Sequence, residues 1–127
     1  MSEPISERKI KFALVGCGRI SNNHFGSFEL LQEDCELVAV CDIDPAALAT
    51  AVKRTGAKGY ARYTEMLAET DADVIVITTP SGLHPEQAVE ALEAGFHVVT
   101  EKPMATCFTD GERMVQALTK QANVCLW

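Results

Sequence analysis

The chain has no apolar stretch long enough to cross a membrane, and its polar residues 1–9 lack the hydrophobic region of a secretory signal peptide. Its five cysteines are odd in number, show no Cys-x-x-Cys spacing and form no cluster with histidine. These absences argue against a disulfide framework and against structural zinc, so no bound metal is predicted. We expect a soluble protein of the reducing cytoplasm.

Positive charge is also scarce. The chain has 11 Lys and Arg against 18 Asp and Glu, a formal net charge of -7, and no run of basic residues. Such a protein attracts neither nucleic acid nor an anionic membrane, so neither is an expected partner. A small anion held by local backbone N–H groups is still compatible with this charge, because those groups act at short range.

What the chain does have is an alternation of apolar runs and helical patterns. The predicted strands are 11–15, 36–41, 59–61, 73–78, 96–100 and 124–127. The run Val74–Ile77 lacks polar alternation, which is typical of strands buried on both faces of a parallel sheet. We predict one α/β domain over 9–127, truncated at its last strand, after a flexible tail at 1–8. Its fold is a three-layer, Rossmann-like, doubly wound parallel sheet with strand order 3-2-1-4-5-6.

Three predicted helices carry terminal signals, and one of them runs from Pro85 to Ala94 and ends at Gly95. Asp44 is expected to cap a helix that begins at Pro45 and ends before Gly56. Thr109 and Glu112 have the spacing of a capping box before an apolar helix face.

The first predicted strand runs directly into residues 16–21, Gly-Cys-Gly-Arg-Ile-Ser, which form a Gly-x-Gly turn that opens a helix. Gly16 permits the tight turn, and Gly18 lets phosphate oxygens approach the backbone at the helix N-terminus. Arg19 and Ile20 belong to the same turn. In isolation the pattern is weak, and an ordinary strand–turn–helix explains it equally well. Ser21 stands where the dinucleotide fingerprint has Gly or Ala, but a small residue there still allows close packing of helix and strand, so we interpret it as a tolerated departure.

Asp42 ends the second predicted strand, 26 residues after Gly16. A carboxylate here can accept hydrogen bonds from the hydroxyls of an adenosine ribose; the alternative is a polar strand end. A 2′-phosphate about 4 Å away would be repelled by roughly 4 kcal/mol at an effective dielectric near 20, which is about a thousandfold in affinity. NAD is therefore predicted in preference to NADP, with Ile43 packing on the adenine.

The fourth predicted strand leads into a polar loop where the strand order reverses and where open α/β sheets bind ligands. Thr79 and Ser81 are candidates to line the nicotinamide side, with Pro80 fixing the turn. His84 either caps the following helix or faces the ligand. In addition, His24 in the first helix could reach the cleft.

The fifth predicted strand is followed by Glu101-Lys102-Pro103, whereas His97 at its start is expected to pack or to lie at the surface. Pro103 restricts the backbone, so Lys102 can supply a cation at the cleft, where it stabilises a developing alkoxide or takes part in proton transfer. A surface Lys-Pro turn is the simpler interpretation of this tripeptide alone. The earlier motifs favour the cleft.

The run 16–21, Asp42, Thr79-Pro80 with His84 and, above all, Glu101-Lys102-Pro103 together resemble the nucleotide-binding half of the Gfo/Idh/MocA oxidoreductase family. The resemblance spans nearly the whole chain. Within the family, 12–25 and 81–105 are similar to bacterial UDP-N-acetyl-2-amino-2-deoxyglucuronate dehydrogenases, which oxidise C3 of the sugar in surface-polysaccharide biosynthesis.

The resemblance implies oxidation of a hydroxyl of a nucleotide sugar or other polyol, by hydride transfer from the carbon that bears it to NAD, with Lys102 as the catalytic residue. It implies a cofactor site made of Gly16, Gly18, Arg19, Ile20, Asp42, Ile43, Thr79, Pro80, His84, Glu101 and Lys102. It also implies a homo-oligomer at full length and a second domain with an acid/base histidine. Since that domain is not in the chain, we expect no turnover by the chain alone; a non-catalytic NAD-binding module or a truncated subunit is the alternative.

Overall fold

The computed structural model describes residues 5–121 and 124–127. Its parallel sheet has the order β3-β2-β1-β4-β5. The strands are β1 Ile10–Val15, β2 Cys35–Cys41, β3 Lys58–Tyr60, β4 Val74–Ile77 and β5 His97–Thr100. The helices are α1 Ser21–Leu30, α2 Pro45–Thr55, α3 Tyr63–Glu69, α4 His84–Glu93 and α5 Phe108–Thr119, with a 3₁₀ turn at Ser81–Leu83. The predicted α/β class and the order of the first five strands are confirmed.

The sheet is covered on both faces because successive strand residues point in opposite directions. Ala13 and Val15 of β1 belong to a buried cluster that includes residues of α3, α4 and α5. Leu14, between them, belongs to a second cluster with Phe25 of α1 and Ala51 of α2. The three predicted layers follow: α1 and α2 on one face, and α3, α4 and α5 on the other.

One of the two predicted helix starts is confirmed. The Asp44 side chain accepts a hydrogen bond from the N–H of Ala46, and Gly56 ends α2 in the left-handed conformation with φ 72°. The capping box is wrong, because α5 begins one residue before Thr109 and follows an extended Cys107 that makes no side-chain cap.

The last predicted strand, 124–127, forms a single parallel bridge between Val98 and Leu126. Hydrogen bonds from Val98 N to Cys125 O, 2.8 Å, and from Trp127 N to Val98 O, 2.9 Å, hold it beside β5, where the sixth position was predicted. Of the predicted tail, 1–4 lies outside the described residues, and Arg8 pairs with Asp73 at 2.7 Å.

Two further observations concern membrane-spanning helices and metal sites. In the described ranges, no helix is long and apolar enough to cross a membrane. Over the same residues, no group of three or more His, Cys, Asp or Glu side chains is arranged to hold a metal ion.

Candidate functional site

A cleft of about 390 Å³ opens at the carboxyl ends of β1, β2 and β4. It lies between β1 and β4, where the strand order reverses and where ligands bind in sheets of this kind. The lining residues are Val15, Gly16, Gly18, Cys41, Asp42, Ile43, Asp44, Ala47, Tyr63, Thr78, Thr79, Pro80, Leu83 and Gln87.

Gly16 brings the end of β1 against the loop that follows β4. Its φ is +96°, and a Cβ at this position would lie 2.6 Å from the Thr79 nitrogen and 2.7 Å from the Thr78 carbonyl carbon. The Thr78 hydroxyl donates a hydrogen bond to the Gly16 oxygen at 2.6 Å. Only glycine fits both this backbone conformation and this close approach.

Gly18, two residues later, faces open space. No heavy atom lies within 4 Å of a Cβ built there, so the backbone of the turn is accessible from the cleft. Ser21 is fully buried at the start of α1, and its hydroxyl donates to the Gly18 oxygen at 2.5 Å. Serine therefore fits where the fingerprint has a smaller residue. Arg19 and Ile20 are exposed beside the turn.

The Asp42 carboxylate joins the glycine turn to the end of β2. Its Oδ2 accepts from the Cys17 N–H at 2.7 Å, and its Oδ1 accepts from the Asp44 N–H at 2.8 Å. Two carboxylate oxygens offer about four acceptor positions, so two hydrogen bonds leave capacity for a ligand hydroxyl.

The two cysteines beside Asp42 are not nucleophiles. Burial, reinforced by the charge of Asp42, raises the pKa of Cys17 to about 12 and that of Cys41 to about 11. Both thiols stay protonated at neutral pH, and the thiol is much less reactive than the thiolate. The chemistry of the cleft therefore does not come from sulfur.

Apolar and aromatic side chains also line the cleft. Ile43 is 90% exposed, as expected for a side chain available to a flat ring, and Leu83 is 44% exposed. The Tyr63 hydroxyl donates to the Gln87 backbone oxygen at 2.7 Å, and the Gln87 side chain accepts from the Thr79 hydroxyl. Sequence reasoning missed Tyr63 and Gln87, because α3 is too short for a clear periodicity and Gln87 lies within a helix.

His84 is buried, and its ring contacts two loops. Its Nε2 lies 2.7 Å from the Thr79 oxygen, and its Nδ1 lies 2.9 Å from the Pro103 oxygen. The residue that caps α4 is Leu83, so the first of the two alternatives for His84, that it caps this helix, is wrong. The imidazole instead joins the loops that follow β4 and β5, and Pro80 lies in the first of them.

Glu101 begins the turn after β5, and its N–H donates to the Ile77 oxygen at 3.0 Å. Its Oε1 lies 2.6 Å from His24 Nε2, and this hydrogen bond holds the pKa of Glu101 below its usual value. Lys102 is exposed and joined to Pro103 by a cis peptide. The structure thus brings His24 to the Glu-Lys-Pro turn. Neither His24 nor the residues of this turn are among those that line the cleft.

His97, in contrast, is a packing residue, as predicted. Its Nδ1 accepts a hydrogen bond from the Cys125 N–H at 3.0 Å, and its ring lies 6.3 Å from that of Trp127.

Comparison with known proteins places this site in context. The sequence model of the Gfo/Idh/MocA oxidoreductase family, described as an NAD-binding Rossmann fold, matches residues 10–127. The chain is similar to the WlbA dehydrogenase of Chromobacterium violaceum, solved with NADH and UDP-GlcNAcA: identity is 59%, the TM-score is 0.95, and the match covers 100% of this chain and 37% of that one.

The chain is also similar to two further dehydrogenases. The WlbA dehydrogenase of Bordetella pertussis, also solved with NADH and UDP-GlcNAcA, is 53% identical with a TM-score of 0.90, over 92% of this chain and 35% of that one. Inositol 2-dehydrogenase of Salmonella typhimurium is 33% identical over 116 residues, 90% of this chain and 34% of that protein. The chain spans about a third of the length of each of these relatives.

Proposed function

Since this chain belongs to the Gfo/Idh/MocA oxidoreductase family and forms its NAD-binding Rossmann domain, we propose that it serves a dehydrogenase acting on a nucleotide sugar. The substrate we propose is a UDP-N-acetylglucosaminuronate, oxidised at C3. Two relatives more than half identical to the chain were solved with NADH and UDP-GlcNAcA, which supports this substrate class.

The observation that carries the proposal is the open glycine turn with a carboxylate bound directly to it: Asp42 accepts from the Cys17 N–H at 2.7 Å. The backbone at Gly18 is accessible to a pyrophosphate, and the positive end of the α1 dipole lies beside it. Asp42 accepts from the adenosine ribose hydroxyls, while Ile43 and Tyr63 provide an apolar surface for the adenine. Bound NAD supplies the hydride acceptor.

Lys102 is the catalytic residue we propose in this chain. An ammonium group near the reacting sugar hydroxyl stabilises the alkoxide that develops as the hydroxyl proton leaves. Thr79 and Pro80, in the loop after β4, line the nicotinamide side. We also propose a cytoplasmic location, supported by the free cysteines, and a homo-oligomeric state for a full-length dehydrogenase that contains this domain.

Titration of the chain with NAD and NADP tests the cofactor assignment. We expect NAD to bind more tightly by up to about a thousandfold, since a 2′-phosphate would meet the charge of Asp42. Asp42→Ala should reduce this preference, while Asp71→Asn, which removes the same charge from an exposed site remote from the cleft, should not. Equal or tighter binding of NADP by the unmodified chain contradicts the role of Asp42.

A chimera that joins this chain to the remaining residues of the Chromobacterium violaceum dehydrogenase tests the catalytic assignment. With UDP-GlcNAcA as substrate, Lys102→Ala should lower kcat by about a hundredfold or more, while NAD affinity changes by less than about tenfold. Lys53→Ala on α2 is the matched control. Undiminished turnover by Lys102→Ala would remove Lys102 from the reaction.

A further inference from the structure

Two histidines hold the Glu-Lys-Pro turn from opposite faces of the sheet. His24 comes from α1, which packs on one face, and His84 comes from α4, which packs on the other. His24 Nε2 lies 2.6 Å from Glu101 Oε1, and His84 Nδ1 lies 2.9 Å from the Pro103 oxygen. The residue between these two anchor points is Lys102.

The contact between His24 and Glu101 joins residues 77 positions apart in the chain. Glu101 is ionised at neutral pH and its carboxylate can only accept, so the ring nitrogen that faces it carries the proton and donates. A hydrogen bond to a charged acceptor is short and directional, which suits it to fixing a turn. The α1 helix that supplies His24 starts directly after the glycine turn.

The exposure of the pair argues that its main effect is not on stability. The side chains of His24 and Glu101 are 25% and 30% exposed, and pairs with this much solvent contact contribute little to folding. Within the described residues, Lys102 itself forms no ion pair. Its direction therefore depends on how the turn is held.

We infer that His24 is a positioning residue for Lys102: through Glu101 it fixes the turn so that the lysine is directed toward the cofactor, and His84 holds the turn from the other side. This inference rests on the proposed function, because it requires Lys102 to lie beside bound cofactor. His24 lies in α1 and belongs neither to the glycine turn nor to the Glu-Lys-Pro turn.

Acylation of Lys102 with and without NADH tests the inference on the 127-residue chain. The rate of acylation at each lysine is measured by mass spectrometry, with Lys53 as the internal reference. NADH is present well above the dissociation constant of each variant, measured by its fluorescence. We expect NADH to slow acylation of Lys102 about fivefold in the unmodified chain, which corresponds to about 1 kcal/mol.

His24→Leu should bind NADH and yet lose this protection, whereas His24→Gln, which keeps an N–H donor, should retain it. His97→Leu removes a histidine at the opposite end of β5 and should behave as the unmodified chain. If His24→Leu does not fold, Glu101→Ala removes the same hydrogen bond and should also lose the protection.

Equal protection in His24→Leu would overturn the inference, as would absence of protection in the unmodified chain at saturating NADH. Failure of the unmodified chain to bind NADH at all would overturn the proposed function, and the inference with it. Loss of protection in His24→Gln as severe as in His24→Leu would contradict the role of the donor.

Discussion

The two halves of the candidate site, the cleft and the Glu-Lys-Pro turn beside its β4 loop, are built in different ways. In the cleft, the glycine turn lies directly against the loop after β4, so that a Cβ on Gly16 would lie 2.6 Å from the Thr79 nitrogen. At the ends of β4 and β5, the Glu-Lys-Pro turn is held by the imidazole rings of His24 and His84. The first half therefore depends on steric fit, and the second on side-chain hydrogen bonds.

Gly16→Ala should break the first half and have the largest effect on stability. The new Cβ would require a left-handed backbone and would lie 2.6 Å from the Thr79 nitrogen, an atom that cannot move independently of β4. Strain and overpacking together should lower the free energy of unfolding by about 3 kcal/mol or more. Chemical denaturation measures it. Gly26→Ala, inside α1 with free space around its Cβ, should stabilise by about 0.5–1 kcal/mol.

His84→Leu should break the second half at a lower cost. Leucine fills a similar volume but removes the ring N–H that donates to one of the two facing oxygens, of Thr79 and Pro103, so we expect a loss of about 2 kcal/mol. His97→Leu, which removes a half-buried acceptor at the other end of β5, should lose less by the same measurement. A loss at His97 as large as that at His84 would mean that joining the two loops has no special value.

Gly18→Ala separates binding from folding within the first half. Its Cβ would meet no heavy atom within 4 Å, so the free energy of unfolding should change by less than about 0.5 kcal/mol. The methyl group would stand where the pyrophosphate approaches, and NADH affinity should fall about tenfold, or about 1.4 kcal/mol. Fluorescence titration measures it. Unchanged affinity would show that the phosphates do not pass over Gly18.

The difference between the glycine turn and the Glu-Lys-Pro turn also explains which features could be predicted from the sequence. The tight turn at Gly16, the cap at Asp44 and the order of the first five strands follow from local rules of backbone conformation and burial, so the motif positions suffice. Strand pairing along Val74–Ile77 follows because a run buried on both faces has few alternatives. Each of these features is determined by a few residues that are neighbours in the sequence.

The remaining features depend on contacts between distant residues. Nothing in the sequence indicates that His24 meets Glu101, because the contact requires α1 and β5 to be placed first. Tyr63 lines the cleft from a seven-residue helix whose pattern is too short to read. The capping box at Thr109 is wrong because α5 begins one residue earlier, at Phe108, and the spacing of Thr109 and Glu112 alone does not define a helix start.

Acid should distinguish the two halves, although its effect on stability should be smaller than that of Gly16→Ala or His84→Leu. The His24 hydrogen bond holds the pKa of Glu101 below its usual 4.5, so the unfolded chain binds this proton more readily than the folded one. The stabilisation is therefore fully present above about pH 4.5 and is lost as the pH falls through the lowered value. The difference in unfolding free energy between the unmodified chain and Glu101→Gln should shrink on acidification, whereas the steric effect of Gly16→Ala has no titrating group and should persist.

Asp73, whose pKa is lowered by Arg8, titrates in all of these proteins, so its contribution cancels in the differences. Glu112→Gln on α5 corrects for the change in net charge. A difference for Glu101→Gln that does not vary with pH would mean that the carboxylate charge contributes nothing to holding the turn.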